Sequence, residues 1–261
     1  MNNNTDTTTT GTNGGTDRRA VAFVHGATSD VGRVRIANED AHFAAAGTLA
    51  VADGLGGHNA GEVASEMAVN TVAGADKADL ATPQGLGGVV VKANKEIHGA
   101  AAADPALRGM ATTLTVATVL PGPMPRIAVA NVGDSRTSIY RTGDLIQVSK
   151  DHSIVQEMVD RGEITAEQAR VHPRGHILTR ALGIEPDVEV DVYVTDVQPG
   201  DRLLLATDGL LDMVPAEDIA EMLWRHRDPQ VCADALVERA NENGGPDNIT
   251  VVVADVVTTG A

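Results

Sequence analysis

Residues 112–149 read TTLTVATVLPGPMPRIAVANVGDSRTSIYRTGDLIQVS. Four short stretches in it are rich in Thr, Val, Ile and Ala: 112–120, 126–132, 137–141 and 145–149. Branched side chains crowd a helical turn but pack well on a pleated surface, so each stretch is expected to be a strand. The link 121–125 carries Pro121, Pro123 and Pro125, and the link 142–144 carries Gly143, both suited to hairpin turns. Strands in succession, with no helix between them, do not alternate as a βαβ chain does.

Working outward, the period changes on the N-terminal side. Residues 20–25 and 48–52 are apolar runs that end in turn signals, as strands do. From Ala60 the apolar positions Val63, Ala64, Met67, Ala68, Thr71 and Val72 follow helical spacing. A second helix is marked by Leu86, Val89, Val90, Ala93 and Ile97, with Pro105 beyond its end. On the C-terminal side, 151–175 is a polar excursion with short amphipathic helices expected near 154–161 and 166–170. Strands resume at 188–195 and 202–207, two helices follow at 215–226 and 230–241, and 248–257 closes the pattern as a strand. Runs of strands, then paired helices, then strands define an α+β chain of antiparallel sheets covered by helix pairs.

Composition sets the outer limits. Hydrophobic residues make up 43% of the 261 positions and aromatics only 2%, so Ala, Val and Leu must fill the core. Lys and Arg number 20 against 36 Asp and Glu, a formal charge of −16 that repels a nucleic-acid backbone. The single cysteine, Cys232, supports neither an internal disulfide nor a cysteine-rich zinc site, and its apolar helical stripe marks a buried thiol. No apolar run reaches the ~18–20 residues of a membrane span. Residues 1–18, rich in Asn, Thr and Gly, are expected to be a disordered tail rather than a secretory signal, and the protein is expected to be cytoplasmic. One domain is expected over 19–257, with 258–261 as a C-terminal tail. Trp224 reads as a core residue, and His152, His172 and His176, whose spacing fits no zinc motif, as solvated loop histidines.

The chemistry lies in the acidic residues. Glu39 and Asp40 lie in the strand region opened by Gly32, and Asp53, Asp134, Asp208 and Asp247 each stand where an apolar strand begins or ends. One such Asp-Gly pair is ordinarily a turn. Several carboxylates delivered to one edge of a core repel one another unless cations stand between them. Oxygen-only ligation suits Mg²⁺ or Mn²⁺, whereas zinc prefers His or Cys. Two such ions roughly 3.5–4 Å apart can acidify a water and stabilise in-line attack on phosphorus.

Five segments carry a more specific signal: Gly32-x-x-Arg35-x-x-Asn38-Glu39-Asp40, Asp53-Gly54-Leu55-Gly56-Gly57-His58, Asn131-Val132-Gly133-Asp134-Ser135-Arg136, Ala206-Thr207-Asp208-Gly209-Leu210 and Gly244-Gly245-Pro246-Asp247-Asn248-Ile249-Thr250. Their order and spacing across residues 20–257 resemble the metal-dependent protein phosphatases of the 2C type, bacterial serine/threonine phosphatases included. The resemblance implies a four-layer αββα sandwich, two antiparallel sheets face to face and flanked by helix pairs. It implies that Asp53 bridges two Mn²⁺ or Mg²⁺ ions, that the Gly54 carbonyl and Glu39 serve one of them, and that Asp208 and Asp247 serve the other. It implies that Asp40 orients water, that Arg35 holds the phosphoryl group, and that Asp134 with Asp208 holds a third, weaker ion. Residues 151–177, continuing to Arg180, resemble the family's mobile flap beside the site.

The animal members carry a histidine directly after Asp-Gly as the proposed general acid. Here Leu55 takes that position and His58 follows three residues later, so His58 is a candidate proton donor or a loop-stabilising residue. The activity implied is hydrolysis of phosphoserine and phosphothreonine in proteins, with a partner serine/threonine kinase or its substrates as partners. Two rivals belong to other classes. A dinucleotide-binding turn at 53–61 fails the G-x-G-x-x-G spacing and places an Asp against the phosphates. A catalytically silent regulatory binding protein of the same fold would be expected to lack ligands that are all present here.

Overall fold

The computed structural model describes residues 20–56 and 60–259. The expected tail at 1–18 and His58 lie outside them. The first strands are β1 (Val21–Asp30), β2 (Asp40–Ala45) and β3 (Thr48–Leu55), followed by helices α1 (Ala60–Ala73), α2 (Lys77–Leu80) and α3 (Pro83–Ala103). The stretch quoted first contributes β5 (Leu114–Leu120), β6 (Arg126–Val132), β7 (Arg136–Arg141) and β8 (Asp144–Gln147), after a two-residue β4 (Ala111–Thr112). Then come α4 (Ile154–Asp160), α5 (Ala166–Arg170), β9 (Asp191–Asp196), β10 (Arg202–Ala206), α6 (Asp208–Leu211), α7 (Ala216–Arg225), α8 (Pro229–Glu242) and β11 (Ile249–Thr258). β11 enters the expected C-terminal tail by one residue, because Thr258 pairs with Val21.

The strands form two antiparallel sheets. One runs β1-β11-β10-β7-β8; the other runs β2-β3-β5-β6-β9, with β4 paired to β3. The four strands of 112–149 are therefore shared, β5 and β6 in the second sheet and β7 and β8 in the first. The chain changes sheets at Gly133, whose φ of +100° suits a residue without Cβ.

Period-two alternation assigns the faces. Leu49 and Val51 of β3 and Val252, Ala254 and Val256 of β11 meet between the sheets. Their neighbours Ala50 and Ala52 turn to α1 and α3, while Val251 and Val253 turn to α7 and α8. Sheet on sheet, with a helix layer outside each, is the four-layer αββα sandwich. The helices fit closely because the packing faces are small. Ala60, Ala64 and Ala68 of α1 are buried against β3. A Cβ on Gly54 would lie 2.3 Å from the carbonyl oxygens of both Glu39 and Gly61, so the end of β3 and the start of α1 touch backbone to backbone. Local caps start the longer helices: Thr82 accepts from Gly85 N ahead of Pro83 in α3, and Asp228 accepts from Gln230 N and Val231 N ahead of Pro229 in α8.

Two readings need correction. Trp224 is 58% exposed rather than in the core, with the Arg227 guanidinium 5.8 Å from its ring centre. Its helix turns Ile219, Met222 and Leu223 inward, and Trp224 falls on the other face. His152 is buried, not solvated: its Nδ1 accepts from Gly133 N at 3.2 Å and its Nε2 lies 3.3 Å from Asp191. It fastens the start of the 151–177 segment to the sheet crossing. Cys232 is buried as expected.

Candidate metal centre

The carboxylates come from both sheets. Asp40 opens β2 and is the register partner of Asp53 near the end of β3, which sets these two on the second sheet. Asp208 opens α6 directly after β10, and Asp247 precedes β11, which sets these two on the first. Asp134 sits in the crossing from β6 to β7. Asp208 stands at the end of the strand, as expected, and is also the first residue of a short helix. A Cβ on Gly209 would lie 2.0 Å from the Asn248 carbonyl oxygen, so this turn packs on the start of β11 with no room for a side chain.

Hydrogen bonds across long sequence distances set the positions. Thr207 Oγ1 donates to Asp40 Oδ2 at 2.9 Å, tying the end of β10 to β2, and itself accepts from Thr250 N at 3.0 Å. Asn248 Oδ1 accepts from Glu39 N at 2.8 Å, and its Nδ2 donates to the carbonyls of Val31 and Ala37. The Glu39 carbonyl accepts from Gly54 N at 3.1 Å and from Ser65 Oγ. Asp53 N donates to Thr113 Oγ1 at 2.9 Å. Thr207, Asn248, Ser65 and Thr113 were not singled out from sequence, although the first two stand inside quoted motifs.

Arg136 and Asp151 are further additions. Arg136 Nε donates to both Asp151 oxygens at 3.0 Å and Nη2 donates to Oδ2 at 2.6 Å, and Gln147 Nε2 adds a bond at 2.9 Å. The pair links β7 to the start of the 151–177 segment and acts on Asp134, the aspartate raising its pKa and the arginine lowering it.

The electrostatics favour a proton or a cation among these carboxylates. Burial, reinforced by the charges of Asp208 and Asp151, pushes the Asp134 carboxyl up to about 8. Burial again, with Asp247 and Asp212 nearby, pushes Asp208 up to about 7. Asp40 is likewise raised to about 7 by burial and the charges of Asp208 and Asp247, against the hydrogen bonds from Thr250 and Thr207. Burial and four aspartates hold Asp53 well above its ordinary value, and Glu39 is also raised, first by burial. Asp40 Oδ1, Asp134 Oδ1 and Asp208 Oδ1 are buried without a hydrogen-bond partner. Orphaned carboxylate oxygens are costly unless a cation or water meets them.

The donors fit a hard, hydrated divalent ion. They are all oxygen, and among the described residues no three His, Cys, Asp or Glu side chains converge tightly enough to form a ligand shell by themselves. Mg²⁺ and Mn²⁺ take oxygen ligands and complete their shells with water, which an all-oxygen set of this kind accommodates. At the mouth, Arg35 is half exposed and its Nη2 donates to Asp247 Oδ2 at 2.7 Å.

Two antiparallel sheets packed face to face, with buried carboxylates from both brought together at one end, are the architecture of a sandwich-type phosphatase. The chain belongs to the protein phosphatase 2C family, whose family model matches residues 33–255. It is 41% identical over 238 residues to the serine/threonine phosphatase stp of Listeria monocytogenes, covering 87% of this chain and 93% of that one. It is 43% identical over 246 residues to the serine/threonine protein phosphatase PstP of Mycobacterium tuberculosis, covering 92% of this chain and 46% of that longer protein. Among solved structures, PstP/Ppp of Mycobacterium tuberculosis superposes with a TM-score of 0.83 at 41% identity, covering 91% of this chain and 100% of that one. The PstP catalytic domain in complex with two manganese ions gives a TM-score of 0.80 at 41% identity, with the same coverage.

Proposed function

We propose that this chain hydrolyses phosphoserine and phosphothreonine in proteins by direct attack of water on phosphorus, with two divalent ions and no phosphoenzyme. The observation that carries the reading is the set of recessed carboxylates from both sheets, three of whose oxygens are orphaned. When bound, two Mn²⁺ or Mg²⁺ ions supply an acidified water and offset charge on the phosphoryl oxygens. Asp53, the Gly54 carbonyl and Glu39 are the ligands assigned to one ion, and Asp53, Asp208 and Asp247 those assigned to the other. Asp134 with Asp208 is assigned a weaker third.

The remaining roles fall to the chain's own groups. Arg35 exchanges Asp247 for the phosphoryl oxygens, whose geometry matches the guanidinium fork. Asp40 has one oxygen held by Thr207 and the other free to take a hydrogen bond from water, which fixes the water's orientation. Cys232 is an unsuitable nucleophile, since burial pushes its thiol up to about 11. His58 keeps its candidacy as proton donor, with water as the alternative. The substrates in this reading are phosphoproteins of the cytoplasm, a partner serine/threonine kinase or its targets among them.

The test is hydrolysis of p-nitrophenyl phosphate and a phosphothreonine peptide with Mn²⁺, Mg²⁺ or EDTA, beside Asp208→Asn. Activity should need the metal, vanish in EDTA and fall more than about a hundredfold in the variant, while circular dichroism stays unchanged. A folded chain that is silent with every metal would instead be a regulatory binding protein of the same fold.

A further inference from the structure

A cavity of about 470 Å³ opens beside the carboxylate cluster, between the end of β3 and the segment 178–189. Its floor is apolar: Leu55, Ala111, Leu178 and Val188, with Ile184 at the edge 53% exposed. Its rim is acidic, carrying Glu185, Asp187 and Glu189, all exposed. Among the described residues the cation lining it is Arg180, which is already engaged: Nη1 donates to Asp191 Oδ1 at 2.8 Å and to the Glu189 carbonyl at 3.3 Å.

The walls are built in advance. Leu55 is paired with Ala111 in the β3–β4 ladder. Thr112 and Leu182 exchange backbone hydrogen bonds of 3.1 and 2.8 Å. Asn94 Nδ2 donates to the carbonyls of Glu185 and Pro186, and Asn94 Oδ1 accepts from Gly183 N. An apolar floor is thus held open by buried polar anchors, with a rim of one sign.

The distance to the chemistry selects the occupant. Leu55 follows Asp53 by two residues in an extended strand, so the cavity's first lining residue stands about 7 Å along the backbone from Asp53. An extended peptide places side chains two residues apart at the same ~7 Å spacing. We propose that this groove is a substrate-specificity site: it takes an apolar side chain near the phosphorylated residue, with an adjacent Lys or Arg held by the Glu185, Asp187 and Glu189 rim. The inference rests on the phosphatase reading and adds a substrate class to it, phosphopeptides of apolar-plus-basic sequence.

The experiment uses the full chain with Mn²⁺ and a set of phosphothreonine peptides. Leu or Ala is placed at each of the flanking positions one to four, beside Lys or Glu, and p-nitrophenyl phosphate is the substrate too small to reach the groove. A Leu-plus-Lys peptide should have the lowest KM, about tenfold below its Ala counterpart at the best position. Ile184→Ser should abolish that Leu preference with kcat held. Asp187→Lys should raise KM for the Lys peptide about two- to fivefold and lower it for the Glu peptide. Both variants should hydrolyse p-nitrophenyl phosphate normally, which also shows that they fold. Equal KM across the peptides, or a preference untouched by both variants, overturns the groove while hydrolysis of the small ester leaves the phosphatase reading standing. So does a dimer in sedimentation that Ile184→Ser disperses, since a second copy would then fill the groove. No hydrolysis of any substrate by the unaltered chain removes both readings together.

Discussion

Arg35 shows how much of a site one side chain can decide. It stands half exposed, and in the proposed function its hydrogen bond to Asp247 is the contact that a phosphoryl group replaces. Arg35→Lys keeps the charge and loses the planar fork, so a charge-assisted bond of about 1.5–3 kcal/mol is weakened and kcat/KM should fall about 10- to 100-fold. Steady-state kinetics on a phosphothreonine peptide, with inorganic phosphate as inhibitor, checks this; an unchanged phosphate inhibition constant would remove Arg35 from the site. The positions of the carboxylates were legible because each motif carries its own turn chemistry. Thr207 and Asn248 were not, because their hydrogen bonds reach across 167 and 209 residues to Asp40 and Glu39. His152 failed for the same reason, since the groups it meets lie on β9 and the turn at Gly133.

Elements were read well where their period was sustained. The five residues that marked the second helix, Leu86, Val89, Val90, Ala93 and Ile97, are all buried in α3. Short elements such as α6 and β4 escaped, because four or two residues carry no period. The crossing between β6 and β7 is where element geometry becomes site geometry, since it delivers Asp134. A Cβ at Gly133 would stand 2.5 Å from Thr113 Cγ2, on backbone already at a φ of +100°. Gly133→Ala should therefore cost about 2–4 kcal/mol from overpacking and backbone strain together. Urea unfolding reads this as a lower midpoint at unchanged slope. A midpoint equal to the parent's would mean that the crossing is looser than described.

For the whole molecule, the proposed metal site links stability to metal through the same carboxylates. Asp40 and Asp208 are raised to about 7 and Asp134 to about 8, from 3.8. A carboxyl with a raised folded pKa binds more protons folded than unfolded between the two values. Without metal, their contribution to stability should therefore be fully present below about pH 4, fall as pH rises toward 8, and level off above it. A divalent ion bound to the folded state should reverse that loss, by about 2.7 kcal/mol at a hundredfold excess over its dissociation constant. Thermal melts from pH 5 to 8.5, in EDTA and in Mn²⁺, measure both effects. Melting temperatures flat with pH in EDTA would mean that the carboxylates are better solvated than their burial implies.

Taken alone, the sequence determined the α+β class, the helix faces, the carboxylates and the family they resemble, because these depend on periodicity and on turn chemistry within a few residues. The tertiary structure decided how 112–149 divides between two sheets, and that Thr207 and Asn248 hold Asp40 and Glu39. It also decided that an apolar groove with an acidic rim adjoins the site. Those outcomes come from contacts between segments far apart in the chain, whose free energies exist only once both sheets and their helices have packed.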